Sequence, residues 1–167
     1  MCGSLWRALR HRSVSINARH LRDLVVGPAL RQVNLHSAAA ENLVMGTASQ
    51  ESNLRHLRQH DEGPALGLWQ MEPVTHDDIW ATWLEYRPTI AVNVLLAIDA
   101  QNPPQAERLV WDLRYAAIMC RLRYRRVRDP LPHFDDVWAL AQYWKDHYNT
   151  VHGRGQVHEF VNNYRNV

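Results

Sequence analysis

Ser37-Ala38-Ala39-Ala40-Glu41-Asn42-Leu43-Val44-Met45-Gly46-Thr47-Ala48-Ser49-Gln50-Glu51-Ser52 is the stretch on which the fold turns. Ser37 is a good N-cap, and Glu41 sets a carboxylate in the first turn, where it favours the helix dipole. At helical spacing Ala40, Val44, Ala48 and Glu51 share one face. That face is otherwise small and apolar, so the spacing predicts a buried helix over residues 37–51 that ends on a carboxyl group. Burial disfavours the charged form of such a group. An acid held neutral near pH 7 can protonate a leaving oxygen, which glycosidic cleavage requires. Taken alone, a glutamate at a helix end more often frays into solvent, because Glu is rarely buried.

The strip that follows changes that balance. Residues 62–73, Glu62-Gly63-Pro64-Ala65-Leu66-Gly67-Leu68-Trp69-Gln70-Met71-Glu72-Pro73, are bracketed by prolines and cannot form a long helix. An extended strip here puts Leu68 and Gln70 on one side and Trp69 and Met71 on the other. Gln70 carries a donor and an acceptor for amide and hydroxyl groups. Trp69 offers a flat apolar face on which a sugar can stack. The plainer alternative is a buried turn with a core tryptophan.

Together the pair Glu51-Ser52 and the strip Gly67-Leu68-Trp69-Gln70 resemble the superfamily of soluble lytic transglycosylases and goose-type lysozymes. There a Glu-Ser pair ends a helix and a Gly-Leu-Met-Gln-like strip follows. Two later stretches are similar to that family as well. Asp112-Leu113-Arg114-Tyr115-Ala116-Ala117-Ile118-Met119 looks like its Asn-Ile-x-x-Gly helix start. Ala139-Leu140-Ala141-Gln142-Tyr143, with Tyr148-Asn149-Thr150 and Gly153-Arg154-Gly155, looks like its Ala-Tyr-Asn-Ala-Gly region. The likeness spans roughly residues 37–160. In style, residues 17–80 and the Tyr-Asn-Thr ending resemble small bacteriophage members. The departures are Trp69 for Met, Ala116 for Gly, and extra residues in the last motif. Either Tyr143 or Tyr148 therefore stands at the family's tyrosine, and Tyr148 fits better because Asn149 follows it directly.

The resemblance implies a mainly α, single-domain, lysozyme-like fold over residues 14–167, with residues 1–13 as a flexible arm. It implies a lytic transglycosylase that cleaves the β-1,4 bond between N-acetylmuramic acid and N-acetylglucosamine. Glu51 is then the general acid and afterwards the base. Ser52, Gly67, Trp69, Gln70 and Tyr148, or Tyr143, bind the glycan strand, and no cofactor or metal is needed. An inverting muramidase needs instead a second carboxylate roughly 6.5–9.5 Å from the first. Asp61 and Glu62 are the carboxylates at hand in the connecting loop. The contrasting class is a phage virion protein that keeps the fold for assembly and has lost catalysis.

Composition is compatible with these readings. A chain of 167 residues suits one domain with a full core. Its net charge of +2 suits an anionic envelope polymer without demanding one. Cys2 and Cys120 are the only cysteines, and no structural disulfide is expected from them. The first dozen residues lack an uninterrupted apolar core, so no secretory signal is expected. No run approaches the roughly 20 apolar residues of a membrane span. A wall-degrading enzyme of this kind is expected in a phage particle, or in the host cytoplasm before release.

Along the chain the pattern predicts an amphipathic helix near 15–33, kinked or divided at Pro28, and a helix capped by Thr75 that stops before Pro88. Next comes a strongly apolar helix with Ile90, Val94, Leu95 and Ile98, expected at the centre of the core. Long helices over 105–126 and 135–149 and a short one near 156–165 complete the chain. The basic run Arg121-Leu122-Arg123-Tyr124-Arg125-Arg126-Val127-Arg128 carries the elements of a phosphate-backbone surface. On a helix its arginines spread over several faces, so a solvated helix end is expected, and nucleic acid is not. His56 and His60, four apart, have the spacing of two metal ligands on a helix, but no third ligand accompanies them and no His-Glu-x-x-His pattern exists.

Overall fold

The computed structural model describes residues 15–60, 62–149 and 153–165. The expected arm at 1–13, Cys2 and Asp61 lie outside these residues. The described chain is mainly helical, and its only β pairing is two isolated antiparallel bridges, Arg58 with Leu66 and Leu66 with Met71. No described helix is long and apolar enough to cross a membrane.

Helix α1 covers residues 18–32. Its middle, Leu21–Val26, winds as a π-helix, and the Gly27 N–H reaches back five residues to the Arg22 carbonyl. That wider turn lies just before Pro28, whose ring has no N–H to give and crowds the preceding turn. The helix therefore passes through the proline instead of dividing there. Helix α2, Ala38–Ser52, starts as expected: Ser37 Oγ accepts from the Ala40 N–H at 3.1 Å. It ends where Asn53 (φ 49°) and Leu54 (φ 55°) turn the chain through two left-handed residues.

This helix, and not the apolar helix after Pro88, is the centre of the core. Leu43, Val44, Met45, Gly46, Thr47, Ala48 and Ser49 are consecutive and all buried, so α2 is covered on every side. Its small residues permit that. A Cβ on Gly46 would lie 2.2 Å from Phe160 Cζ, so the last helix, α8 (Val157–Tyr164), presses directly on this glycine. Thr47 Oγ1 donates to the Leu43 carbonyl and pairs with the Tyr124 hydroxyl at 2.8 Å, so its buried polar atom has partners.

Helix α3, residues 73–84, has Pro73 as its first residue and Glu72 at the cap position, three residues before Thr75, the expected cap. Proline suits the first helical position because the missing N–H has no partner there anyway. Helix α4, Pro88–Ala97, buries Val94 and Ala97 but leaves Leu96 70% exposed, so it lies at the periphery despite its apolar sequence. The expected long helix at 105–126 is broken at Asp112 into α5, Arg108–Trp111, and α6, Leu113–Arg125. Asp112 leaves the helical region and accepts from the Tyr115 N–H at 3.1 Å, which makes it the N-cap of α6. Helix α7 covers residues 137–149 and closes in a π-helical turn, Lys145–Asn149. Helix α8 is held at its start by a reciprocal Gln156–Glu159 capping box. Cys120 is buried in α6.

Candidate active site

Glu51 sits in the last turn of α2, half-buried, at the wall of a groove. One compartment of about 620 Å³ is lined by Glu51, His56, Gln70, Glu72, Arg123 and Tyr148, among others. A second of about 610 Å³ includes Glu51, Gln50, Trp144, Arg154 and Gly155 in its lining. Glu51, Gln59, His60, Asn149 and Gly153 line both, so the compartments adjoin and Glu51 stands where they meet. Space continues to either side of the carboxyl group, as a polymer would need.

The carboxyl is tuned by burial and by two neighbours. Burial pushes Glu51 up to about 7, against the opposing pull of the Trp144 N–H and of the Arg123 charge. Trp144 is fully buried, and its Nε1 donates to Glu51 Oε1 at 2.9 Å. Arg123 lies with its guanidinium 4.2 Å over the Tyr148 ring and donates to the Tyr148 and His147 carbonyls. The site therefore keeps a proton on Glu51 near neutrality and offers a donor and a cation to the carboxylate once that proton leaves.

The strip after Glu51 differs from the extended form expected. Leu66 and Met71 bond to each other through both backbone groups (2.9 and 3.0 Å), and residues 67–70 form a tight turn between them. Gly67 has φ +72°, and a Cβ there would lie 2.3 Å from the Leu109 carbonyl oxygen. Its role is to let the turn form against α5, not to touch a ligand. Gln70, also left-handed at φ 45°, folds its amide back so that Nε2 donates to the Gly67 carbonyl at 2.8 Å and to the His56 carbonyl at 3.4 Å. Its side chain lines the groove and at the same time ties the turn to the loop after α2.

Two expected contacts are not made. Trp69 is 1% exposed, and its Nε1 donates to the Val44 carbonyl of α2 at 2.8 Å. The turn points the indole inward, so it is a core tryptophan and no sugar can stack on it. Ser52 is also 1% exposed, and its hydroxyl donates to the Ala48 carbonyl one turn back. It neither orients Glu51 nor reaches the groove.

The two tyrosine candidates separate clearly. Tyr148 lines the groove, 4% exposed, and donates its hydroxyl to the Trp69 carbonyl at 2.7 Å. It braces the turn against α7. Tyr143 faces elsewhere and donates to the Asp129 carbonyl at 2.9 Å. Burial raises Tyr148 well above the ordinary phenol range, so its hydroxyl stays a neutral donor.

Other groups enter the site unannounced. Trp144 and Tyr148 are four residues apart on α7, a spacing that puts both on one helix face. That spacing was the available signal for Trp144. Arg123 belongs to the run expected as a solvated helix end. Arg125 and Arg128 are exposed, but Arg121 is buried against the Leu35 carbonyl and Arg123 faces the groove, so the run is not one surface. Among the carboxylates offered for a muramidase, Glu62 is exposed and absent from either lining; Glu72 lines the groove instead. His56 and His60 sit on the loop after α2, not on a helix, with their Nε2 atoms 3.2 Å apart. Among the described residues no three His, Cys, Asp or Glu side chains converge to hold a metal ion. Compared with known proteins, the chain matches no family model, no curated protein and no solved structure.

Proposed function

We propose that the chain is a lysozyme-like, peptidoglycan-degrading lytic transglycosylase with Glu51 as its general acid and base. The observation that carries this reading is the position of Glu51: a half-buried carboxyl, pushed up to about 7, at the junction of two groove compartments. The resemblance of Glu51-Ser52, the Gly67-to-Gln70 turn and the Asp112 helix start to that superfamily supports it, and so does the mainly helical architecture.

In this mechanism neutral Glu51 gives its proton to the glycosidic oxygen as the bond from that oxygen to the muramic acid C1 breaks. The carboxylate so formed is held by the Trp144 N–H and by the positive field of Arg123. It then takes the proton from the muramic acid 6-hydroxyl while O6 bonds to C1. A 1,6-anhydro end results, Glu51 is reprotonated, and no water is consumed. Gln70 spends its amide nitrogen on the Gly67 and His56 carbonyls, so its Oε1 accepts from the strand, while Asn149, whose Oδ1 is held by Lys145, donates through Nδ2. A phage particle, or the host cytoplasm before release, is the setting we infer for it, with the glycan strand as substrate and other virion proteins as partners.

A second reading is favoured by one observation. Glu72 shares the groove with Glu51, so an inverting muramidase would use Glu72 to activate water, in place of Glu62. A virion protein without catalysis is the remaining contrast. Expression in a bacterium with an added signal peptide tests the proposal. The exported protein should cause lysis and the Glu51→Gln form should not. Harmless export of a folded wild-type protein would point to the assembly role.

A further inference from the structure

We propose that His56 and His60 form a two-histidine chelate for a divalent transition metal ion on the groove wall. The observation is the approach of their Nε2 atoms to 3.2 Å. Two imidazole nitrogens bound to one tetrahedral Zn²⁺ at the usual bond length are about 3.3 Å apart. Their ring planes are inclined at 65° with centroids 4.1 Å apart, so the rings do not stack face to face. Among the described residues no other side-chain partner holds either Nε2 atom. Imidazole pairs select Zn²⁺, Ni²⁺ and Cu²⁺ over Mg²⁺ and Ca²⁺, which prefer oxygen.

The site is open. No third protein ligand converges on it among the described residues, so water completes the coordination shell. Such a site does not hold a resident structural metal; it binds the ion reversibly. Both histidines line the compartment that contains Glu51 and Gln70. An ion bound there, with its waters, occupies space that a glycan strand needs. The consequence is inhibition of wall cleavage by transition metals. That consequence rests on the glycosidase reading, whereas the binding itself does not.

The test uses the full chain with ¹⁵N-labelled histidine and titrates it with ZnCl₂, then NiCl₂, with MgCl₂ as the control. The Nε2 signals of His56 and His60 should respond together and saturate at one equivalent. In His56→Ala the response of His60 should move to concentrations on the order of a hundredfold higher, because the chelate is lost. His60→Ala should do the same to His56. A pair that only shares a hydrogen bond would show two independent responses, or wild-type affinity in either single variant. Those results overturn the proposal. Zn²⁺ should also inhibit cleavage of purified cell walls by the wild type and spare the single variants, each compared with its own metal-free rate. Saturated binding with an undiminished rate would overturn the blocking role. A preparation with no cleavage at all counts against the glycosidase reading and leaves the NMR result to decide the chelate.

Discussion

Replacing Glu51 by Gln should make the protein more stable as the pH rises. Burial pushes the Glu51 carboxyl from the ordinary 4.5 up to about 7. The folded chain thus prefers the protonated acid, and the unfolded chain binds that proton less tightly. Glu51 is fully compatible with the fold below pH 4.5, and that compatibility is lost progressively as pH rises towards 7. The loss is about 3 kcal/mol, at about 1.4 kcal/mol for each pKa unit. Above pH 7 the wild type carries a desolvated charge that only Trp144 and Arg123 relieve. Gln has nearly the same shape, keeps an acceptor for the Trp144 N–H, and does not titrate. The two proteins should therefore be close in stability at pH 4. By pH 8 the variant should be ahead by about 3 kcal/mol, a melting temperature higher by roughly 10 °C for a chain of this size. Urea denaturation at several pH values, read as the difference between the two proteins, cancels the contributions of all other titrating groups. A difference that stays constant from pH 4 to pH 8 would show that Glu51 titrates as an ordinary surface carboxylate, and the acid role would fall with it.

Three further outcomes follow from the same geometry. Trp144→Phe removes the 2.9 Å donor that favours the carboxylate, so Glu51 should titrate higher still. The alkaline limb of the pH–rate profile, read on protein that remains folded, should move up. Gln70→Ala removes the 2.8 Å tie to Gly67 as well as a groove amide; it should lower stability by about 1 kcal/mol and weaken glycan binding, as calorimetry with oligosaccharides can show. Gly67→Ala sets a Cβ 2.3 Å from the Leu109 carbonyl at φ +72°, and its melting temperature should fall clearly even though no ligand contact is lost.

What was legible in the sequence is local. Ser37 as a cap, the small apolar face through Ala40, Val44 and Ala48, and the carboxyl at its end depend on neighbours within one or two turns. The helical character of the chain is of this kind too. What was not legible depends on distant partners. Trp69 looks equally able to face a sugar or the core, and the choice is made by the Val44 carbonyl, 25 residues away. The apolar helix after Pro88 reads as central, but the small residues of α2 let other helices approach it more closely, and α4 is left at the edge. Pro73 displaces Thr75 as the helix start because proline loses nothing at a first helical position. Nothing nearby marks Arg123 apart from Arg121 or Arg125, since only the packing of α7 across α6 decides which arginine meets Tyr148.

Mass spectrometry of the fragments released from purified peptidoglycan tests the proposed chemistry most directly. The wild type should release muropeptides ending in 1,6-anhydro-muramic acid, and folded Glu51→Gln should release none. Reducing muramic acid ends, lost in Glu72→Gln, would replace the transglycosylase by a hydrolase; no release by the folded wild type, or full release by Glu51→Gln, would contradict Glu51 as the acid of a wall-degrading enzyme.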